Sequence, residues 1–501
     1  MHTLLLLQFF YLAIVVCVNG VAIRRVGIIG SGPAGLGLAA SLRRVGSGVE
    51  EVVIFESRDS FLQAQQGGGV QLSGGAAVLQ KLGALDRLRG VAQPLQRIVS
   101  RNSRSQELLN VDVVALLEAR APSLTTPSGP LFFSIMRDAL QRLLFDLASE
   151  GDCEEGGGGG KMKVSVQTGR RALRVVETPG SDAATIVFAP KSPEEAEQTE
   201  EFDLVVGADG VNSVVRQYVA GPAGGIQDQV RDTGIKILYA VTGPDDSFSL
   251  RPDGRGSFFQ WFADGAYCLS ASYGGLQGVQ HMLALVQRST ANEDENAKWE
   301  PGSRQALSKE EVRARLAKAG FPEKSGLFTL LEACEEGRFI ELAVKDRSLP
   351  LLGWSSPSGR AVLMGDAAHP MAPFLGQGAN QALQDALVLA RAIRFVNKAA
   401  AKAEAGGLGG LAVKTLSAVA GSTWPMKLAL LSYQIARLPP TAVISLKSNF
   451  LGNVETLGGD LGGLARDSFF RFTAKFGIAQ LVLLSGAVPA LGFFKEKESD
   501  E

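Results

Sequence analysis

Three features of the sequence predict an α/β fold: a Rossmann-like unit, a second unit on a mixed sheet, and a helical C-terminal region. The first is a β-branched run, Val26-Gly27-Ile28-Ile29, that passes straight into Gly30-Ser31-Gly32-Pro33-Ala34-Gly35. The second is another such run, Val52-Val53-Ile54-Phe55, closed by the acid Glu56. The third is the alternation in Ser257-Phe258-Phe259-Gln260-Trp261-Phe262 and Tyr267-Cys268-Leu269-Ser270-Ala271-Ser272-Tyr273, where a strand presents two unlike faces.

Composition narrows the function classes. The chain has 501 residues, with 50 Lys+Arg against 51 Asp+Glu and a net charge of -1, so no global field draws it to nucleic acid. At 46% hydrophobic and 20% charged residues it can bury a core. Its 59 glycines exceed the ordinary share of about 7% and call for many turns or close backbone approaches. The four cysteines form no Cys-x-x-Cys pair and the three histidines lie far apart, so neither a disulfide scaffold nor a metal site is expected.

Taken in order, residues 4–18 are almost unbroken apolar sequence followed by Asn19 and Gly20. Residues 1–20 therefore read as a signal peptide or an anchor, too short at about 15 apolar residues for a full span, and they direct the chain to the secretory route or an organelle reached through it. The run ending at Ile29 reads as a buried parallel strand. The glycines after it permit a tight turn and let backbone approach a pyrophosphate, while the helix that begins there aims its N-terminal amides at the phosphates. Glu56, about 20 residues after the last glycine, stands where such a unit holds a ribose hydroxyl. Two further strand-to-turn blocks follow: Asp203-Leu-Val-Val-Gly-Ala-Asp209-Gly210-Val-Asn-Ser213-Val-Val-Arg216, and Met364-Gly365-Asp366-Ala-Ala-His369-Pro370 continuing through Gly376-Gln-Gly378-Ala-Asn380 to Asp385.

These three blocks, in this order and spacing, resemble the class A FAD-dependent monooxygenases of the para-hydroxybenzoate hydroxylase type, over about Val26 to Arg394. The resemblance implies that FAD occupies the dinucleotide unit, with Gly30, Gly32, Ala34 and Gly35 at the pyrophosphate and Glu56 at the adenosine ribose. It implies that Asp366 meets the ribityl and pyrophosphate region, that the backbone of residues 375–380, with Gly376, Gly378 and Asn380, lies against the isoalloxazine, and that Arg137 contacts FAD. Asp209 and Arg216 would serve both FAD and a transient NADPH or NADH. A solvated helix-face role for Arg137 and a capping role for Asp209 stay open on the residues alone. His369 reads as a turn-shaping residue, and no catalytic residue is identified.

The implied reaction inserts one oxygen atom from O2 into an apolar or aromatic small molecule; the alternative is a non-hydroxylating flavoenzyme of the same fold, of the reductase, halogenase or isoprenoid cyclase type, against which the Asp209 block argues. Residues 65–75, Gln-Gln-Gly-Gly-Gly-Val-Gln-Leu-Ser-Gly-Gly, depart from the family, which often carries Pro-Asn there.

The expected organisation is a discontinuous FAD-binding domain of residues 24–225 and 345–398, a substrate domain of residues 226–344, and a linker and helical region of residues 399–501. Phe259, Trp261 and Tyr267 are candidates for an apolar substrate pocket, with core packing as the alternative. Residues 156–160, all glycine, and the acidic segment 192–201 read as a flexible insertion and a solvated loop. Residues 476–494 carry no charge and fit either a membrane contact or a buried helical hairpin.

Overall fold

The computed structural model describes residues 22–62, 68–150, 162–178, 182–192, 194–221, 230–245, 256–288, 305–347, 353–404 and 424–488. The expected signal segment and the glycine run lie outside them.

The Rossmann-like unit is built on five parallel strands in the order Lys163–Gln167, Glu51–Phe55, Arg25–Ile29, Leu204–Gly207 and Ala361–Leu363. Four of them are apolar and buried from both faces, as helix-covered parallel strands must be. The helix Pro33–Arg44 starts with proline at its first turn, where no amide donor is missed, and buries nine residues against the sheet. Beside it packs the long helix Gly378–Glu404. That helix runs past residue 399, where the sequence suggests a linker, because Ala399 to Lys402 are helix formers that continue its pattern.

The second sheet has eleven strands and is mixed. Its main path runs Gln305–Ala306, Cys334–Arg347, Val230–Thr242, Gly278–Arg288, Ala266–Gly275, Ser257–Ala263, Arg97–Asn102 and Glu107–Asp112. The central pairs are antiparallel, while Ser257–Ala263 runs parallel to Arg97–Asn102. This sheet takes in Gly69–Leu72, Gln93–Pro94 and Phe133–Met136 as well, so it draws on residues that the sequence places with the dinucleotide unit. One face belongs to the main core; the other closes over a separate cluster of Phe259, Trp261, Leu283, Leu285 and Phe339 under the helices Lys309–Lys318 and Leu327–Ala333.

Part of the acidic segment is not loop. Gln198–Phe202 pairs with Ala184–Phe188 in a three-stranded antiparallel sheet, and its Glu200 meets Arg25 and Arg170. Charge alone conceals the strand, since Glu201 is exposed and Glu200 half-buried between arginines while Phe202 is buried.

Three helices complete the described chain: Trp424–Glu455, Gly459–Lys475 and Ile478–Ala487. The first clamps the third motif block from outside, Tyr433 Oη donating to Leu363 O at 3.1 Å and Ser448 Oγ to Ala372 O at 2.5 Å. Among the described residues no helix is long and apolar enough to cross a membrane.

Candidate active site

Glu56, Gly30, Asp209 and Asp366 each follow a strand of the parallel sheet, so the fold gathers them at its carboxyl edge, where such sheets bind ligands. The glycines at this edge divide into two groups. Gly30 has φ +108°, and a Cβ there would sit 2.3 Å from Ala208 O; a Cβ on Gly35 would sit 2.0 Å from Gly30 O. These two are required by the chain's own packing. Around Gly32 the nearest atom to such a Cβ is Arg137 Nη2 at 3.7 Å, and around Gly378 it is Asp366 Oδ1 at 3.9 Å. Their missing side chains leave ground open rather than relieving a clash. Ala34 is buried against Gly365.

Glu56 is 4% exposed and fully engaged. Oε2 accepts from Ser31 Oγ at 2.6 Å and Oε1 from Arg58 Nε at 2.8 Å. Burial works against its charge, but the hydrogen bonds from Arg58 and Ser31 outweigh it and hold the carboxyl down at about 2.

Asp366 is exposed to the crevice and makes no hydrogen bond among the described residues. Surrounding protein raises its carboxyl pKa, while the charges of His369 and Arg137 pull the other way. Arg137 opens the helix Arg137–Ser149 and faces both Gly32 and Asp366. Asp209 caps the helix Val214–Ala220 through Val214 N at 2.7 Å, yet its Oδ1 is buried with no partner and burial raises its pKa. Arg216 ties this block to the third one, donating to Ala367 O at 2.5 Å and Ala368 O at 3.0 Å.

The residue set fits FAD. Open glycine ground, a helix N-terminus, an unpartnered carboxylate and an orphaned buried acceptor converge on one crevice. Asn380 has a different part. Its Oδ1 accepts from Ser73 N and Gly75 N, and its Nδ2 donates to Gln71 O and Gly376 O, so the side chain is spent on pinning the 376–378 turn to the 71–75 segment.

A buried network supports that turn. Asp385 accepts from Gly365 N at 2.9 Å, faces His369 Nε2 at 2.6 Å and takes Arg437 Nε at 2.7 Å; Asp385 and Arg437 are both 0% exposed. Burial opposes the charge on Asp385, but His369 and Arg437 prevail and lower its pKa. His369 therefore holds the turn, as its motif position suggests, while nothing in the sequence around Arg437 marks its part in the network.

On the other side of residues 373–377 lies an apolar cavity. The second sheet supplies Ile98, Leu109, Phe258 and Gln260; the C-terminal helices supply Leu451, Glu455, Phe470 and Leu483. Phe259 and Trp261 do not line it. They are 5% and 1% exposed within the cluster on the opposite sheet face. The expectation from sequence has the wrong parity: side chains alternate, so Phe258, Gln260 and Phe262 share one face and Phe259 and Trp261 the other. Tyr267, opposite Phe262, is on the same sheet face as the cavity but is buried and does not line it; its hydroxyl lies close to the carboxyl of Glu455. Gln71, Gln260 and Glu455 are site residues that sequence reasoning misses. Glu455 leaves one signal, since no other acid occurs between it and Glu404.

The sequence model of the family described as an FAD binding domain matches residues 24–405, well over half of the chain. The chain is 31% identical to 3-amino-4-hydroxybenzoate 2-monooxygenase PtmB3 of Streptomyces platensis over 367 residues, 73% of this chain and 78% of that protein. It belongs to the class A FAD-dependent monooxygenases. Another member, 6-hydroxynicotinate 3-monooxygenase of Bordetella bronchiseptica, is 30% identical over 73% of this chain and 82% of its own. The fold matches a salicylate hydroxylase substrate complex with a TM-score of 0.62 at 19% identity, covering 94% of this chain and 98% of that one. The helices that close the cavity, from Trp424 onward, lie beyond the residues matched by the monooxygenase family's sequence model.

Proposed function

We propose that the chain hydroxylates an apolar, aromatic small molecule held beside residues 373–377, with FAD resident in the crevice and NADPH or NADH as reductant. The observation that carries this reading is the apolar cavity lined by the same turn that borders the dinucleotide crevice. The names of the relatives, which act on 3-amino-4-hydroxybenzoate and 6-hydroxynicotinate, support a ring substrate.

Bound FAD supplies the redox chemistry: reduction by the nicotinamide and transfer of one oxygen atom from dioxygen. The chain binds, orients and shields. Backbone at Gly30, Gly32, Ala34 and Gly35 would hold the pyrophosphate, and Glu56 would share itself between a ribose, Arg58 and Ser31. Asp366 and Arg137 would hold the middle of FAD, and Asp209 would offer its orphaned oxygen. Backbone at Gly376 and Gly378, pinned by Asn380, would seat the ring, while the cavity walls keep water from it.

The test is flavin content of the purified protein followed by a screen of phenols for NAD(P)H oxidation coupled to oxygen uptake. Yellow protein with substrate-stimulated, coupled turnover is the expected result. Folded protein that ignores added FAD would overturn the reading, and nicotinamide oxidation without oxygen uptake would point to a non-hydroxylating flavoenzyme.

The reading extends to location. Residues 1–20 would send the chain into the secretory route, and the C-terminal helices would rest on a membrane surface without crossing it. What supports contact is the apolar side chains these helices leave exposed, Leu446, Leu461, Leu464, Phe472 and Phe476 among them, with Leu461 at 84%. Phe450 and Ile478 are exposed and also line the cavity, which joins that surface to the substrate site. Flotation with phosphatidylcholine vesicles should carry the protein up, and L464E with F472E should leave it below. A reporter behind residues 1–20 that stays cytosolic would reject the route.

A further inference from the structure

The cavity is apolar on most of its wall, and its few polar side chains are nearly all occupied by the protein itself. Gln71 Nε2 donates to Tyr273 Oη at 2.6 Å, Gln260 Oε1 accepts from Ser100 Oγ at 2.8 Å, Lys447 Nζ donates to Ser485 Oγ at 2.9 Å and Thr473 Oγ1 to Phe470 O at 3.1 Å. Glu455 differs. It ends the helix Trp424–Glu455, is 1% exposed and lines the cavity. One carboxyl oxygen, Oε1, faces Gln260 Nε2 at 3.5 Å, and the Tyr267 hydroxyl lies close to the carboxyl. Among the described residues lining the cavity, Oε2 of Glu455 is the buried polar side-chain atom left without a partner.

We infer that Glu455 is the polar anchor of the substrate site, its Oε2 pairing with a hydroxyl group carried on an apolar ring system. The inference rests on the preceding reading that this cavity takes the substrate. Leaving a buried polar atom unpaired costs free energy, so a ligand that brings one hydroxyl to Oε2 recovers what an otherwise identical hydrocarbon cannot. Burial keeps the carboxyl protonated at neutral pH, its pKa pushed up to about 8. In that form Oε2 donates to the hydroxyl oxygen, and no charge needs to be buried with the ligand. Glu455 also lies beyond residues 24–405, which the family's sequence model matches, so the motif blocks do not announce it.

The experiment compares 2-naphthol with naphthalene by equilibrium dialysis against the purified full chain, without nicotinamide. Wild type should bind 2-naphthol about tenfold more tightly, the worth of one satisfied buried hydrogen bond. Glu455→Gln, which keeps a donor and an acceptor in nearly the same shape, should retain most of that preference. Glu455→Leu should reduce it to within about twofold. A wild-type ratio near one overturns the inference whether or not a variant folds, and so does a Leu variant that keeps the full preference. Visible absorbance of the same samples reports FAD separately: naphthol preference without flavin would sink the monooxygenase reading alone, and flavin without preference would sink the anchor alone.

Discussion

Gly32 and Gly35 stand three residues apart and are needed for different reasons. A side chain at Gly35 meets the carbonyl of Gly30 at 2.0 Å, inside any real contact, whereas one at Gly32 meets nothing nearer than 3.7 Å. Gly35→Ala should therefore fail to fold, while Gly32→Ala should melt like wild type in its flavin-free form and yet hold far less FAD; circular dichroism and flavin absorbance separate the two. Equal flavin content in Gly32→Ala and wild type would remove that residue from the crevice. Glu455 makes a second prediction. Its folded pKa is raised by burial from 4.5 to about 8, and the nearby Tyr267 and Gln260 side chains, both neutral groups, only partly oppose this. Between those values the folded chain keeps a proton that the unfolded chain releases, so stability falls as pH rises from about 4.5 toward 8 and levels off above. Glu455→Gln cannot titrate. Urea denaturation at low and high pH should show wild type losing a few kcal/mol relative to this variant across that window, at about 1.4 kcal/mol for each tenfold difference in proton affinity between the folded and unfolded chains.

At the scale of elements, the strand Ser257–Ala263 decides what the cavity is made of. Its alternate residues serve two cores: Phe258 and Gln260 face the cavity, and Phe259 and Trp261 face the cluster beneath Lys309–Lys318 and Leu327–Ala333. Trp261→Ala should cost about 3–5 kcal/mol of stability as a large core truncation, with no added peroxide released per NAD(P)H oxidised. Phe258→Ala should do the reverse, leaving the fold nearly intact and admitting water to the cavity. If Trp261→Ala uncouples turnover, the face assignment is wrong. The helix Trp424–Glu455 is the other deciding element. It carries Tyr433, Arg437 and Ser448 onto the third motif block at one stretch and Glu455 into the cavity at its end.

In the whole molecule, the dinucleotide unit depends on the C-terminal helices. Asp385 carries a buried charge neutralised by Arg437, and removing one partner of such a pair costs about 3–5 kcal/mol. A chain ending at Glu404 also loses one wall of the cavity. Such a truncation should be recovered mainly as aggregate, or as soluble protein with a markedly lower melting temperature. A truncated chain that melts like the full one would show that the helices merely decorate the family's fold.

The local part of this protein was legible in its sequence. Strand, glycine turn and helix are encoded within a few residues of one another, so Gly30 to Gly35, Glu56, Asp209 and Asp366 can be named from sequence as a group, and they meet at one sheet edge. What chain neighbours do not decide was not legible. Which face of Ser257–Ala263 meets the cavity depends on pairing with Arg97–Asn102 and Ala266–Gly275, and a shift of one residue exchanges Phe258 for Phe259. Asn380, placed with the cofactor by motif, spends its side chain on residues more than 300 positions away. Arg437 and Glu455 sit in an apolar helix with no motif around them, and only folding brings one against Asp385 and the other into the cavity. Sequence by itself determined the dinucleotide chemistry, because backbone conformation and short-range spacing carry it. Tertiary structure decided the apolar cavity, because its walls come from distant segments whose side chains acquire a direction only when they pack.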